Sequence, residues 1–314
     1  MVKVTKLLTW VYLTGLLSAT SYTMLDTFVI EKAGTQGSNI LTSETSSEVI
    51  STSETPSTSV TSSSPIIPTY TQTSYRDENM ELTIEVIRRY ETQVYVALLH
   101  TANHRFIQSA FAQDTYGRNI REKTSEMAER KQAIFAINGD YYGFRDIGFV
   151  VRNGLVYRTN PRDASADDAV ILDDDGRMYH LDEQQTSLGQ LATMLPWQVW
   201  SFGPTLLEEG ILKVDESSQV PYELDSNPRT SLGQIDEDTY MFVVSDGRTS
   251  ESAGLSLFEL ATVYQEYGAQ FAYNLDGGGS ATMWFNGRIV NKPVNSGSTI
   301  SERSISDCIY IGYE

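Results

Sequence analysis

The chain has 314 residues, with 41 acidic side chains against 23 basic ones and a formal net charge of −18. Such a surface repels nucleic acid at long range and does not suit an anionic membrane face, so neither is expected as a partner. The lone Cys308 cannot form an internal disulfide, and without suitably spaced partners it makes no zinc site.

At the N-terminus, Lys3 and Lys6 precede an uncharged stretch from Leu7 to Leu25. That is close to the ~20 residues that span a bilayer, with the basic end on the side expected to stay cytoplasmic. Residues 1–32 are therefore expected to be a retained signal anchor of a single-pass membrane protein. A cleaved signal peptide is the rival, but no clear A-x-A site follows the apolar part. From Ala33 to Ser74 the chain is dominated by Ser and Thr, with few large apolar residues. It cannot bury enough apolar surface to offset its ordering entropy, so residues 33–76 are expected to form an extended extracellular linker. Residues 77–314 remain for the catalytic domain, long enough for one large core or two fused lobes.

Within that domain, Glu81 to Arg89 and Thr92 to His100 read as paired strands, and Arg105 to Ala112 as another. A charged helix from near Arg121 to Gln132 leads into the strand Ala133 to Ile137, followed by the loop Asn138-Gly139-Asp140-Tyr141-Tyr142-Gly143. Val170 to Leu172 and Arg177 to Tyr179 form a hairpin across Asp173-Asp174-Asp175-Gly176, an acidic turn without the distal Glu of a calcium loop. Ser187 to Met194 suits a short helix, while Trp197 to Phe202 and Arg229 to Ile235 suit strands. Thr239 to Val244 is β-branched and aromatic, and ends in the loop Ser245-Asp246-Gly247-Arg248. Ser256 and Glu259 then have capping-box spacing, Leu257, Leu260, Ala261, Tyr264 and Tyr267 recur at helical spacing, and Gly268 closes the helix. A strand ending at Leu275 completes a βαβ unit. Cys308 falls in an apolar C-terminal strand, as a buried small hydrophobe. The expected fold is α+β, with mixed β-sheets, packed helices and at least one βαβ crossover.

The run Asn274-Leu275-Asp276-Gly277-Gly278-Gly279-Ser280 is the most informative stretch. A buried strand delivers a carboxylate, followed by three residues that let the backbone approach a ligand closely. A glycine-rich hairpin turn is the alternative, because strand-like Ala281 to Phe285 follows. Asp140, Asp246 and Asp276 each follow a buried strand. If the strands around the helix are parallel, Asp246 and Asp276 lie at one sheet edge, where open α/β sheets bind ligands.

These residues also carry a family likeness. NGDYYG (138–143), VVRNGLVYR (150–158), FGPTLLEEG (202–210), NPRTSLGQ (227–234), VVSDGR (243–248), GLSLFELA (254–261) and YNLDGGGSATM (273–283), in that order, resemble the phosphodiester glycosidase family. The likeness runs from about Asp77 to the C-terminus and is strongest to a membrane-anchored branch. It implies a hydrolase acting on a sugar-1-phosphodiester, with bacterial relatives linked to exopolysaccharide biosynthesis. Carried over by position, it marks Asn138, Asp140, Arg229, Thr230, Asp246, Arg248, Gly277, Gly278, Gly279, Ser280 and Arg303, together with Asp276. Some family members have Gly or Ala where this chain has Asp140.

Hydrolysis at the glycosidic carbon requires phosphate recognition, which Arg supplies through bidentate hydrogen bonds; Arg229, Arg248 and Arg303 are the candidates. It also requires a carboxylate to stabilise an oxocarbenium-like centre or activate water, with Asp276 first, then Asp246 and Asp140. The three glycine amides and the Ser280 and Thr230 hydroxyls would add donors. No cofactor is expected; Mg²⁺ or Ca²⁺ held by the three aspartates stays open. Two rivals remain, a non-catalytic carbohydrate-binding or polymer-assembly protein and a metal-dependent phosphodiesterase.

Overall fold

In the strand Thr239–Ser245, successive side chains pack to opposite sides, and both sides are apolar. Tyr240, Phe242 and Val244 join Phe135, Ile137 and Ile309 in one cluster; Met241 and Val243 join Leu257, Leu260, Ala261 and Tyr264 in another. A period of two with both faces apolar places a strand inside a layered core. In the computed structural model, which describes residues 14, 16–26, 29–39, 67–163, 169–218, 226–296 and 299–313, this strand lies inside a nine-stranded sheet.

That sheet packs on one face against a five-stranded sheet containing Phe135–Asn138, Met283–Phe285 and Asp307–Ile311. Its other face is covered by the helix Leu257–Glu266. A six-stranded sheet, including Val150–Arg152, Ala169–Asp173 and Pro196–Ser201, builds a further core with the helix Leu188–Thr193. The helix Thr124–Arg130 packs beside the five-stranded sheet, where Met127 and Ala128 meet Trp284 and Cys308.

Most expected elements are present, including the pair Glu81–Arg89 and Thr92–His100 in register from end to end. The expected capping box is formed: Ser256 Oγ accepts from the Glu259 N–H at 3.1 Å, and Glu259 accepts from the Ser256 N–H at 2.8 Å. The expected mixed sheets are not. Every ladder between the described strands is antiparallel, and helices are few. The crossover from Thr239–Ser245 through the helix to Phe271–Asn274 does join parallel strands, but Thr230–Asp236 runs between them in the opposite direction. A single helical crossover skipping one position makes parallel direction without a parallel ladder.

The N-terminal region also differs from expectation. Half of the expected anchor, residues 1–13, 15, 27 and 28, lies outside the described residues, and no described helix is long and apolar enough to cross a membrane. Residues 32–39 are not an open linker. Lys32–Ala33 pairs with Gly117–Arg118, and Ser38–Asn39 pairs with Leu155–Val156. Between them, Gly34 and Gly37 lie against the rings of Tyr116 and Tyr157, where added β-carbons would collide. Residues 40–66 lie outside the described residues. The chain is again paired by Thr69–Tyr70 and Ser74–Arg76, which extend the nine-stranded sheet beyond the expected boundary at 77. Tyr75 is buried there beside Asp77, so Tyr and Thr, both good strand formers, outweigh the polar composition.

Candidate functional site

The glycine loop sits where three chain segments leave one edge of the nine-stranded sheet. In the middle strand, Ser231 is opposite Val243 on one side and Asn274 on the other. Arg229 therefore enters the edge from which Asp246 and Asp276 leave. Backbone bonds fasten the three together: Leu275 N–H donates to the Thr230 carbonyl at 2.8 Å, Gly278 N–H to Pro228 at 2.7 Å, and Ser245 N–H to Arg229 at 2.9 Å. The glycine run is not a simple hairpin turn. A 3-10 turn at Gly278–Ser280 carries it away from the nine-stranded sheet, and Met283–Phe285 then pairs with Phe135–Asn138 in the five-stranded sheet.

Asn138 braces this loop from the facing sheet. Its amide donates to the Asp276 carbonyl at 2.6 Å, and its Oδ1 accepts from the Thr230 hydroxyl at 2.7 Å and the Thr282 N–H at 3.2 Å. Both Asn138 and Thr230 are fully buried. The family likeness assigns them to substrate binding, whereas their geometry makes them braces that fix where Asp276 stands.

Two guanidinium groups lie over the glycines. A β-carbon on Gly278 would stand 2.8 Å from Arg248 Nη2, and one on Gly279 would stand 2.5 Å from Arg303 Nη2. Gly278 also has φ +59°, which side chains rarely adopt. Each guanidinium is steadied through its Nε: Arg248 donates to Asn227 Oδ1 at 2.9 Å and Arg303 to Asn295 Oδ1 at 3.0 Å. Arg229 is buried and donates through its Nε to the Leu255 carbonyl at 2.9 Å. Asp276 is half-buried. Ser280 Oγ and Asn274 Oδ1 are buried atoms without a hydrogen-bond partner among the described residues. Buried polar atoms are rarely left so, and a ligand's hydroxyl or phosphate oxygen would satisfy Ser280.

The three aspartates have different surroundings. Asp140 is fully buried: its carboxylate accepts from the Tyr142 N–H at 3.1 Å and the Ser201 N–H at 2.7 Å, and pairs with Arg152 at 3.0 Å. Held by Arg152 and two backbone N–H groups, Asp140 has the surroundings of a scaffold carboxylate. Asp246 accepts from the Lys292 N–H at 2.7 Å and the Tyr95 hydroxyl at 3.1 Å. Burial raises its pKa above the ordinary value. It lines a cavity of about 270 Å³ with Arg88, Gln93, Tyr95, Glu251 and Lys292. Among the described residues no three His, Cys, Asp or Glu side chains converge on a position for a metal ion, so the open Mg²⁺ or Ca²⁺ arrangement is not formed by these aspartates.

Several charged residues beside the site escaped the sequence. Arg152 pairs with Asp307 at 2.9 Å as well as with Asp140, all three being buried. Burial of Arg152 opposes its charge, but the two carboxylates outweigh it and raise its pKa. Glu183 accepts from the Arg162 N–H at 2.8 Å and the Phe149 N–H at 3.3 Å, behind Ser201. Arg145 donates to the Asp140 carbonyl at 3.2 Å. The only available signal was arginine in otherwise apolar strand sequence, as in Val150-Val151-Arg152. A buried charge within a strand demands a partner.

A family model described as phosphodiester glycosidase matches residues 131–312. Over 230 residues the chain is 25% identical to an uncharacterised SPbeta prophage-derived protein, YomE, of Bacillus subtilis, covering 68% of this chain and 34% of that protein. Over 108 residues it is 30% identical to N-acetylglucosamine-1-phosphodiester alpha-N-acetylglucosaminidase of Mus musculus, covering 33% of this chain and 21% of the mouse protein. The matches thus span about a third and a fifth of these relatives' own lengths. The zebrafish catalytic domain of the same name, solved auto-inhibited by its pro-peptide, superposes with TM-score 0.59 at 20% identity, covering 75% of this chain and 83% of that one. A hypothetical protein from Synechocystis gives TM-score 0.52 at 15% identity, over 74% of this chain and 62% of that one. At those identities the two structures show a shared fold.

Proposed function

The chain belongs to the phosphodiester glycosidase family, and from that premise we propose that it hydrolyses the glycosidic bond of a sugar-1-phosphodiester in a surface or secreted glycopolymer. The observation that carries this is the placement of Arg248 and Arg303 over Gly278 and Gly279, next to the half-buried Asp276. Two positive groups and a carboxylate at one loop suit a reaction in which a phosphate departs and a cationic carbon is left behind.

The bond that breaks joins the anomeric carbon to a phosphate oxygen, and both its electrons leave with that oxygen. Arg248 and Arg303 neutralise the charge that grows on it. Asp276 stabilises the oxocarbenium-like carbon or takes the proton of the attacking water. Because a phosphate monoester leaves far more readily than a sugar alkoxide, a strong general acid is unnecessary. Water supplies the new anomeric hydroxyl, and the aglycone keeps all its phosphate oxygens. The unpartnered Ser280 Oγ supports a role in bonding a phosphate oxygen, while Asn138 and Thr230 brace the loop that carries Asp276.

Turnover of a defined sugar-1-phosphodiester in ¹⁸O-labelled water tests this reading. The released phosphomonoester should carry no label, and its oxygens exchange slowly enough for a secure measurement. Label in that phosphate means P–O cleavage and replaces the glycosidase with a phosphodiesterase. Saturable glycan binding without turnover of any sugar-1-phosphodiester replaces it with a binding protein. Location belongs to the same reading: Lys3 and Lys6 ahead of an uncharged stretch support retention at the membrane with the catalytic domain outside. Fractionation that finds only a soluble form beginning after residue 20 overturns it.

A further inference from the structure

Tyr141 is a bulky residue in a backbone conformation that suits glycine or asparagine. Its φ is +73°, and the residue stays 40% exposed, so core packing does little to offset the strain. Tyr90 and Glu91 also have positive φ, but they form the two-residue turn of the hairpin closed by Arg89 and Thr92, which requires it. Tyr141 closes no hairpin. It lies between Phe135–Asn138 of the five-stranded sheet and Val150–Arg152 of the six-stranded one. The conformation is imposed from inside the fold. Asp140, held by Arg152 and the Ser201 N–H, accepts from the Tyr142 N–H at 3.1 Å, and the Tyr141 carbonyl accepts from the Phe144 N–H at 3.2 Å.

What this conformation holds in place is an aromatic stack. The Tyr141 and Phe144 rings lie with centroids 4.6 Å apart and planes 27° from parallel, and the Arg121 guanidinium lies 4.9 Å from the centroid of the Phe144 ring. Three contacts tie this stack to the segments around the glycine loop. Asn138, three residues before Tyr141, donates to the Asp276 carbonyl at 2.6 Å. The Gly143 N–H, two residues after Tyr141, donates to Ser306 Oγ at 3.3 Å, and Ser306 follows closely on Arg303, which lies over Gly279. Glu122, next to Arg121, exchanges backbone bonds of 3.0 and 2.8 Å with Ile305. With about 3.8 Å between consecutive Cα atoms, the Cα of Tyr141 is at most about 11 Å from that of Asn138. The stack thus borders the segments that carry Asp276 and Arg303. Asn138 and Asp140 are buried, and Tyr141 is where this loop reaches solvent.

We propose that the exposed ring of Tyr141 is a stacking platform for a sugar unit next to the one whose glycosidic bond is cleaved. The C–H faces of a pyranose carry slight positive charge and suit the negative face of an aromatic ring. Phe144 supports the Tyr141 ring, and the exposure of the residue leaves ring surface for a sugar. The buried charge around Asp140 then has a task beyond stability: it fixes a strained backbone that keeps an aromatic ring in solvent beside the site. The proposal rests on the glycosidase reading for which bond is cleaved. It makes the substrate a glycan of at least two sugar units, and not a lone sugar-1-phosphodiester.

The test measures, by calorimetry, binding of uncleavable C-glycosyl phosphonates to the full chain. Gluco, galacto and 2-acetamido-gluco forms are each made alone, with a further neutral pyranose on the sugar, and with one on the phosphonate. At least one extended form should bind about two- to tenfold tighter than its short partner, as expected for one aromatic stacking contact. In Tyr141→Asn, which tolerates the positive φ but has no ring, that ratio should fall to one. In Tyr141→Phe, which keeps the ring face, the ratio should remain. The short forms should bind both variants as they bind the natural chain, which a merely structural role for Tyr141 would not allow. Tyr141→Gly, suited to the same φ, replaces an Asn variant that circular dichroism shows to be unfolded. Equal loss for short and extended forms overturns the proposal, as do a ratio near one in the natural chain, an unchanged ratio in Tyr141→Asn, and absence of binding by every analogue. Failure to cleave any sugar-1-phosphodiester removes the glycosidase reading instead, without altering a ratio measured on ligands that are never cleaved.

Discussion

The loops that follow Phe135–Asn138 and Phe271–Asn274 begin alike: a buried strand, an Asn at its end, then Asp and Gly within three residues. Their carboxylates meet opposite fates. Asp140 is enclosed by Arg152, Ser201 and Tyr142, while Asp276 is half-buried beside two arginines that lie over glycines. The difference comes from what each glycine makes room for. Gly139 lies against the carboxylate of Asp307, so its missing β-carbon admits an internal charge. Gly278 and Gly279 lie against guanidinium groups held through their Nε atoms, so their missing β-carbons let positive charge close over the loop. One loop is built around buried charge, and the other, the proposed site, is held by neutral braces.

The largest effect that sharpens this contrast is on turnover. Asp276→Asn keeps the side chain's size and should lower kcat by about 10³-fold on a sugar-1-phosphodiester, while the melting temperature barely moves. Unchanged kcat removes Asp276 from the reaction. Arg152→Met should do the reverse kind of damage. It leaves Asp140 and Asp307 buried without their cation, which costs about 3–5 kcal/mol of stability, read by urea unfolding. A loss below about 1 kcal/mol means that the carboxylates find other partners, and the scaffold account of the first loop fails.

A smaller change tests the second loop. Gly279→Ala sets a methyl group where Arg303 Nη2 now lies, 2.5 Å away, so the guanidinium must retreat. Binding of a sugar-1-phosphate analogue should weaken by about tenfold, as expected when one charge-assisted hydrogen bond is lost. Gly268→Ala, whose added β-carbon meets nothing within 4 Å, is the control: its φ of +74° gives it backbone strain without any contact at the site. Equal loss in both variants assigns the effect to strain and not to Arg303.

Much of this contrast was legible in the sequence, and its limits are physical. Hydrophobic period and capping spacing located Glu81–Arg89, Thr92–His100 and Leu257–Glu266 because each depends on neighbours within a few positions. The glycine run pointed to a close approach, and Arg248 and Arg303 came from the family likeness. What sequence did not show is side-chain direction after a strand end. An Asp-Gly pair has the same local propensity whether the carboxylate faces Arg152, 12 residues ahead, or a ligand. The antiparallel ladder was hidden for a related reason: Thr230–Asp236 inserts between two strands that follow one another in the chain. The attachment of residues 32–39 depends on rings at Tyr116 and Tyr157, far along the sequence from a segment that reads as polar linker.

The smallest predicted effect is a pH slope that belongs to the first loop alone. Asp307 is buried, and burial, with the charge of Asp140 adding to it against the pull of Arg152, pushes its carboxyl up to about 7 from an ordinary value of 3.8. Between those values the folded chain holds a proton that the unfolded chain has released. Stability contributed by this group is therefore greatest at the acid end and falls as pH rises toward about 7, by no more than about 1.4 kcal/mol per pH unit for one proton. In Asp307→Asn the group no longer titrates, so the difference in unfolding free energy between natural chain and variant should change across pH 4 to 7 and level off above it. Asp276→Asn should leave that slope in place, because Asp307 keeps both Arg152 and Asp140. A pH-independent difference for Asp307→Asn means that Asp307 is ionised throughout, with Arg152 compensating its burial completely. A slope lost in Asp276→Asn as well means that the two loops share one titrating network, and the division between scaffold and site dissolves.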